Sequence, residues 1–373
     1  MSSYRTETKL TQIGNGFDEL GAVSAPIYLS TAYKHEGIGV SKGYDYGRTG
    51  NPTRSILEKA IADIEGGEEG FACSSGMSAI QLVLSLFSSG DHIIATRDLY
   101  GGTFRLFEIL AKRYRIAFSY WDGANTEKLA AMIRPQTKAF FIETPTNPLM
   151  HEVDLEAIAK IAGQHGILFI VDNTFYTPYL QRPIAAGADL VVHSATKYLA
   201  GHNDVLAGLV VSNSEKLSDP LRVYHNSAGL VLDPFSSWLV IRGMKTLALR
   251  MRQHESNAKR IVAYLEEQPL VTRVIYPGKG GMISFEITRA SFVEPFLQAL
   301  KLITFAESLG GVESLITYPT TQTHADIPEA LRLKYGLTDT LLRLSTGIEN
   351  PDDLIEDLDA AFNSLKREVP VHG

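Results

Sequence analysis

From residue 71 to residue 211 the chain alternates short, nearly unbroken apolar runs with longer stretches of helical spacing. The runs lie at residues 71–74, 92–96, 116–120, 139–143, 168–172, 190–193 and 206–211. Strands apolar at almost every position are covered on both faces, and repeated strand–helix steps lay such strands side by side. The pattern therefore predicts an α/β protein with a mostly parallel central sheet. Just ahead of it, Asn51 and Pro52 read as an N-cap and a first helical position. Ile56, Leu57, Ala60, Ile61 and Ile64 follow at helical spacing, and Gly66-Gly67 stops the run.

After about residue 235 the pattern changes. Residues 236–267 read mainly helical, with Gly243 a weak point. Two strand-like runs, 271–276 and 282–287, and helical stretches near 291–301 and 350–366 follow, which predicts a smaller C-terminal α+β domain. Residues 1–50 show no sustained period and cannot bury much alone, so they are expected to pack on another part of the protein or on another subunit. The predicted organisation is an arm over 1–50, an α/β domain over 51–240 and an α+β domain over 241–373.

Composition narrows the class. Of 373 residues, 45% are hydrophobic and 21% charged, an ordinary globular balance that excludes wholesale disorder. The net charge is −7 and no dense basic run appears, so no nucleic-acid partner is expected. Cys73 is the single cysteine, which rules out an intramolecular disulfide and suits a reducing compartment. Residues 1–7 are polar, and no stretch approaches the ~18–20 apolar residues of a membrane span. The expectation is a cytoplasmic protein with no membrane partner.

Chemistry concentrates at the ends of the predicted strands, where open α/β sheets bind ligands. Ser194-Ala195-Thr196-Lys197 follows the run 190–193, putting two hydroxyls beside one lysine. Such a group can hold a phosphate and present an amine for Schiff-base chemistry; it also reads as a solvated lysine at a strand end. Asp172 ends another strand, where a carboxylate could hold a proton on a pyridine nitrogen or simply cap the next segment. Ser75-Gly76-Met77-Ser78 joins a strand to a helix, a common phosphate-binding arrangement but a weak motif alone. Tyr100 could stack on a flat ring or belong to the core. Arg343, between apolar neighbours, needs an anionic partner, either a substrate carboxylate or an internal carboxylate. The glycines of residues 37–43 lack dinucleotide spacing, there is no Walker-type loop, and His-Glu-x-x-His and Cys-x-x-Cys are absent, so no metal site is expected.

Together these pieces are far more specific than any one alone. Tyr46-Gly47-Arg48-Thr49-Gly50, Ser75-Gly76-Met77, Asp98-Leu99-Tyr100-Gly101-Gly102 and Glu143-Thr144-Pro145-Thr146-Asn147-Pro148 occur in one order. Val171-Asp172-Asn173-Thr174, Ser194-Ala195-Thr196-Lys197-Tyr198, Glu307-Ser308-Leu309-Gly310-Gly311 and Arg343-Leu344-Ser345-Thr346-Gly347 continue it. From about residue 6 to 365 the chain resembles the Cys/Met-metabolism enzymes that depend on pyridoxal 5′-phosphate (PLP). The resemblance implies the aminotransferase-like fold of these enzymes (fold type I) and PLP as cofactor. By the same resemblance Lys197 would carry PLP as an imine, Asp172 would pair with the ring nitrogen, and Tyr100 would stack on the ring. Gly76, Met77, Ser194 and Thr196 would hold the phosphate, with Tyr46 and Arg48 supplied by a neighbouring subunit. Asn147 would lie near the ring hydroxyl and, with Ser308, Glu313 and Arg343, bind the amino-acid substrate. A homotetramer of two site-sharing dimers is implied.

Within the family, Tyr100-Gly101-Gly102-Thr103, Asp45 and Gly311-Val312-Glu313-Ser314 look most like cystathionine γ-synthase. The implied reaction is γ-replacement on an O-acylated homoserine by a thiol, in methionine biosynthesis; a cystathionine γ- or β-lyase is the alternative. Between Gly278 and Gly281 the family commonly carries a longer connection.

Overall fold

The computed structural model describes residues 4–16, 18–325 and 327–366. Its larger sheet contains β1 (Glu69–Cys73), β2 (His92–Thr96), β3 (Ala117–Trp121), β4 (Thr137–Glu143), β5 (Leu168–Asp172), β6 (Leu190–Ser194) and β7 (Gly208–Ser212). The order across the sheet is β1-β7-β6-β5-β4-β2-β3. From β6 to β3 all neighbours are parallel. β7 runs antiparallel to both β6 and β1, so β1 points the same way as the parallel set. The exception has a simple cause: residues 195–207, which carry Lys197, turn back to the sheet without a crossover helix.

Side-chain alternation divides the core. Phe140, Ile142, Phe169 and Val171 pack on one face of the sheet, while Ala139, Phe141, Ile170 and Val192 pack on the other. Part of the arm belongs to this core: helix α1 (Thr6–Thr11) buries Leu10, and Ile13 follows it in. Beyond it the arm exposes Leu20, Val23 and Leu29. Helix α2 (Pro52–Glu65) starts where Asn51 accepts from the Thr53 and Arg54 amides, a cap that stabilises by about 1 kcal/mol, and stops at Gly66 in the left-handed region. Helices α3 (Gly76–Leu84) and α4 (Gly101–Tyr114) follow β1 and β2. No described helix is long and apolar enough to cross a membrane.

The predicted helical stretch 236–267 is two helices, Pro234–Met244 and Leu247–Glu267. A second sheet follows, β8 (Val271–Ile275), β9 (Met282–Ile287), β10 (Thr304–Phe305), β11 (Leu315–Thr317) and β12 (Leu341–Ser345), in the order β10-β11-β12-β9-β8. Periodicity does not announce the last three strands. β10 and β11 are too short to display a period, and β12 carries buried Arg343 at its centre. The short β8–β9 connection is a tight turn in which Gly278 and Gly280 both take positive φ. Tyr276 Oη donates to the Gly280 carbonyl, and the Gly280 amide donates to Glu255.

Gly208, the first residue of β7, shows how closely the layers meet. A Cβ there would stand 2.0 Å from the Ser75 carbonyl oxygen and 2.9 Å from Ala79 Cβ. The β1–α3 turn can therefore lie on β7 only over a glycine. Gly208→Ala is expected to destabilise the protein by about 1–3 kcal/mol and to weaken retention of any ligand held by that turn. Denaturant unfolding with a parallel ligand-retention assay checks this; stability within about 0.5 kcal/mol of wild type would contradict it.

Candidate active site

Since β1, β2, β4, β5 and β6 point the same way, their carboxyl ends share one edge of the sheet. A cavity of about 240 Å³ opens there, and the second sheet closes its far side. Lys197, in the loop after β6, lines it. Its Nζ donates to Ser308 Oγ at 3.1 Å. Burial holds the amine down at about 8, helped by the charge of Arg343 and opposed by Glu307. Lys197 is thus not the solvated lysine that the tetrapeptide alone allowed.

Asp172, at the end of β5, is buried in the same cavity. Its Oδ1 accepts from the Thr174 amide at 3.0 Å and from Thr174 Oγ1 at 2.6 Å, and that hydroxyl accepts in turn from the Ser194 amide at 2.9 Å. Burial raises its affinity for a proton, against the Thr174 bonds and the nearby His193. A carboxylate placed so favours a cationic partner.

The β1–α3 turn supplies a different kind of wall. Ser75 accepts from the Ser78 amide and its carbonyl accepts from Ala79, leaving the Gly76 and Met77 amides in the unpaired state of a helix start. A Cβ on Gly76 would fall 2.9 Å from Ser194 Oγ, so the glycine lets that hydroxyl lie against the helix end. Thr196 lines the same region. Tyr100 stands before α4, with its amide donating to Glu143 Oε2 at 2.9 Å.

Arg343 reaches the cavity from β12. Its Nη1 donates to Asn147 Oδ1 at 2.7 Å, and its Nη2 donates to the Ser308 carbonyl and Thr317 Oγ1 at 3.2 Å each. Every one of these acceptors is neutral, so the internal carboxylate partner is not what holds this buried guanidinium. Desolvation holds its pKa down at about 10. A buried cation bonded only to neutral oxygens is prepared for an anionic ligand.

Three predicted site residues lie elsewhere in the chain. Glu313 does not line the cavity; Asn203 Nδ2 donates to its carboxylate at 2.8 Å and holds it on the loop away from the site. Tyr46 is half exposed, and Arg48 donates to the Asn226 carbonyl and to its side-chain oxygen at 2.8 Å. Conversely, Glu143, Thr174 and Glu307, which stand in the quoted motifs without an assigned role, line the cavity. For Glu143 a signal existed: it ends the run 139–143, so the strand-end rule that found Asp172 applies to it equally.

A family model for Cys/Met metabolism PLP-dependent enzymes matches residues 7–363. The chain belongs to that family. A Bacillus subtilis (strain 168) member named cystathionine gamma-synthase/O-acetylhomoserine (thiol)-lyase is 60% identical over 98% of this chain and 98% of its own. A cystathionine beta-lyase of Lactococcus lactis subsp. cremoris (strain MG1363) is 50% identical over 95% of this chain and 98% of its own. The solved cystathionine gamma synthase of Xanthomonas oryzae pv. oryzae, in complex with aminoacrylate and cysteine, superposes with a TM-score of 0.96 at 40% identity, covering 98% of this chain and all of that one. This family member is accordingly an enzyme of cystathionine metabolism, of the γ-synthase/lyase type, with pyridoxal phosphate as cofactor.

The cavity fits that cofactor by its donor set. It joins a lysine of depressed pKa, a buried carboxylate with one oxygen left open, and a helix start with hydroxyls beside it. Because the neutral amine attacks an aldehyde, uptake of PLP by the apoenzyme is expected to rise roughly tenfold per pH unit and level off near 8. Stopped-flow absorbance measures this, and a rate still climbing toward the ordinary lysine range would contradict the depressed amine.

Proposed function

We propose that this enzyme exchanges the γ-acyloxy group of an O-acylated homoserine for a thiol, with cysteine yielding cystathionine and sulfide serving as a second thiol. The observation that carries this reading is the 60% identity, over nearly the whole chain, to a relative whose name joins both activities. The Tyr100-Gly101-Gly102-Thr103 segment agrees with it. A lyase acting on cystathionine is the second reading, since relatives 50% and 49% identical carry β-lyase and γ-lyase names.

When bound, PLP supplies an aldehyde that joins the substrate amine and a protonated ring that draws electrons from the substrate's Cα. Lys197 would hold it covalently in the resting enzyme, Asp172 would keep the proton on the ring nitrogen, and Tyr100 would cover the ring. Gly76, Met77, Ser194 and Thr196 would hold the phosphate. Arg343 receives the substrate carboxylate as a two-donor fork, with Asn147 and Ser308 fixing its plane. Lys197, about half neutral near pH 8, takes the proton from Cα. That first proton would pass to the carbon that joins the substrate nitrogen to PLP, which frees the Lys197 amine to remove a second from Cβ, so that the acyloxy group can leave Cγ with the bonding electron pair. The thiol gives up its proton and adds at Cγ, and Lys197 returns one proton to Cβ and, once it has recovered the first, one to Cα. Ser308 Oγ, 3.1 Å from the Lys197 amine, is placed to hold that amine once the substrate has displaced it from the cofactor.

The test is a steady-state panel of O-acetyl-, O-succinyl- and O-phosphohomoserine against cysteine and sulfide, beside cystathionine alone. Faster cleavage of cystathionine than its formation from every ester would select the lyase reading.

Tyr46 and Arg48 lie on the exposed arm, away from the chain's own cavity. We assign them to the phosphate site of a neighbouring subunit in a symmetric homo-oligomer, a dimer of dimers. Arg48→Ala and Lys197→Ala chains, each inactive alone, are expected to regain activity when mixed, because each mixed dimer then contains one site with both residues. Absence of recovery, with subunit exchange confirmed by mass, would mean that each chain builds its site alone.

A further inference from the structure

Glu143 and Asp172 are direct partners in the β4–β5 register, and both carboxyls enter the same cavity. Side chains at paired positions of neighbouring strands stand on the same face, about 5 Å apart at their bases. Both are buried, at 6% and 8% exposure. Two carboxylates so placed cannot both stay ionised without a cation between them.

Among the described residues no cation bonds to Glu143. Lys197 donates to Ser308, and Arg343 donates to Asn147, Ser308 and Thr317. His193 is engaged with Glu65 on the sheet's other face. Asp98, the third acid of this corner, is bound by Thr146 and the Leu149 amide. The phenol of Tyr100 brings no positive charge, and its backbone amide is what Glu143 Oε2 accepts. Asp172 differs in the strength of its donors: the Thr174 hydroxyl at 2.6 Å joins the Thr174 amide in favouring its charged form, whereas Glu143 has only the Tyr100 amide and a weaker approach of the Asn147 amide.

We propose that Glu143 is a positioning residue that works as a neutral carboxylic acid, leaving the Glu143–Asp172 pair one negative charge, on Asp172, while it anchors the Tyr100 backbone. The proposal rests on the assignment of Asp172 to the ring nitrogen. Burial, reinforced by the charge of Asp172, pushes the Glu143 carboxyl well above the usual range, in the same direction as the geometry. A second negative charge would compete with Asp172 for the ring's positive charge, whereas a neutral acid still accepts from the Tyr100 amide without adding charge.

The test is infrared spectroscopy of the PLP-loaded enzyme in H₂O and D₂O, with wild type, Glu143→Gln, Glu143→Leu and Asp172→Asn compared, and the visible circular dichroism of the cofactor as second readout. Wild type is expected to show a deuterium-sensitive neutral-carboxyl band that is lost in Glu143→Gln and persists in Asp172→Asn. Glutamine preserves shape, acceptor and neutrality, so it should keep the cofactor's circular dichroism, while leucine, which frees the Tyr100 amide, should reduce it at least twofold. A band unchanged in Glu143→Gln overturns the proposal, and so does a Glu143→Gln protein that fails to fold or sheds cofactor. A band lost only in Asp172→Asn would make Asp172 the neutral member and overturn its ring-nitrogen role as well. Should Glu143→Leu not fold, the infrared comparison of wild type with Glu143→Gln decides. These readouts are independent of whether synthase or lyase turnover is measured.

Discussion

Replacing Lys197 with alanine is expected to lower turnover by about 10⁴-fold or more, because one amine supplies both the covalent hold on the cofactor and the proton transfers at Cα and Cβ. Positioned general acid–base groups alone contribute about 10²–10⁴-fold, and loss of the nucleophilic amine adds to that. The structure gives the reason this lysine suits both tasks. Burial beside Arg343 keeps it partly neutral near pH 8, and Ser308 Oγ holds it at 3.1 Å. The measurement is steady-state turnover of O-acetylhomoserine with cysteine, paired with borohydride reduction and peptide mapping of wild type. Reduced label on any other lysine, or a Lys197→Ala enzyme with more than about one hundredth of wild-type turnover, would contradict the assignment; even the lower end of general acid–base contributions is that large.

Arg343→Lys carries the second large effect. A lysine at this position presents a single compact charge in place of a planar fork, so it cannot serve Asn147 and Ser308 while binding both oxygens of a carboxylate. Losing one side of a buried, hydrogen-bonded charge pair costs about 2–5 kcal/mol, which corresponds to roughly 30- to 5000-fold in kcat/KM. The cofactor should be retained, since the phosphate-side residues are untouched. A kcat/KM within about threefold of wild type, under ~0.7 kcal/mol, would mean that Arg343 is not the carboxylate clamp.

Lys197 and Asp172 are legible from local pattern alone. Each follows an apolar run that can only be a buried strand, and strand ends in an open α/β sheet are where ligands meet the protein. The residues we assign to the phosphate show the same kind of signal, a glycine and hydroxyls at a strand-to-helix turn, and they line the cavity. Residues of the far wall were less legible. For Arg343 the chain left two readings open, and the neutral identity of its partners set aside the internal carboxylate. Glu313 shares a segment with Ser308, yet the loop turns between them: Ser308 meets Lys197 while Glu313 meets Asn203. Adjacency along a loop does not set direction, because loop backbone has no period to fix it.

By itself, then, the amino-acid pattern determined the parallel core and the strand-end edge at which the cavity opens. Those features depend on side-chain period and strand direction, which are properties of neighbouring residues. Tertiary structure alone decided which side chains face one another across the cavity. The pairing of Glu143 with Asp172 comes from strand register, and the approach of Arg343 comes from the packing of a second sheet whose short strands leave little trace in the pattern. The antiparallel β7 and the close seat of the β1–α3 turn on Gly208 belong there too. Such contacts form between residues far apart in the chain, where the order of apolar and polar positions carries no information about distance.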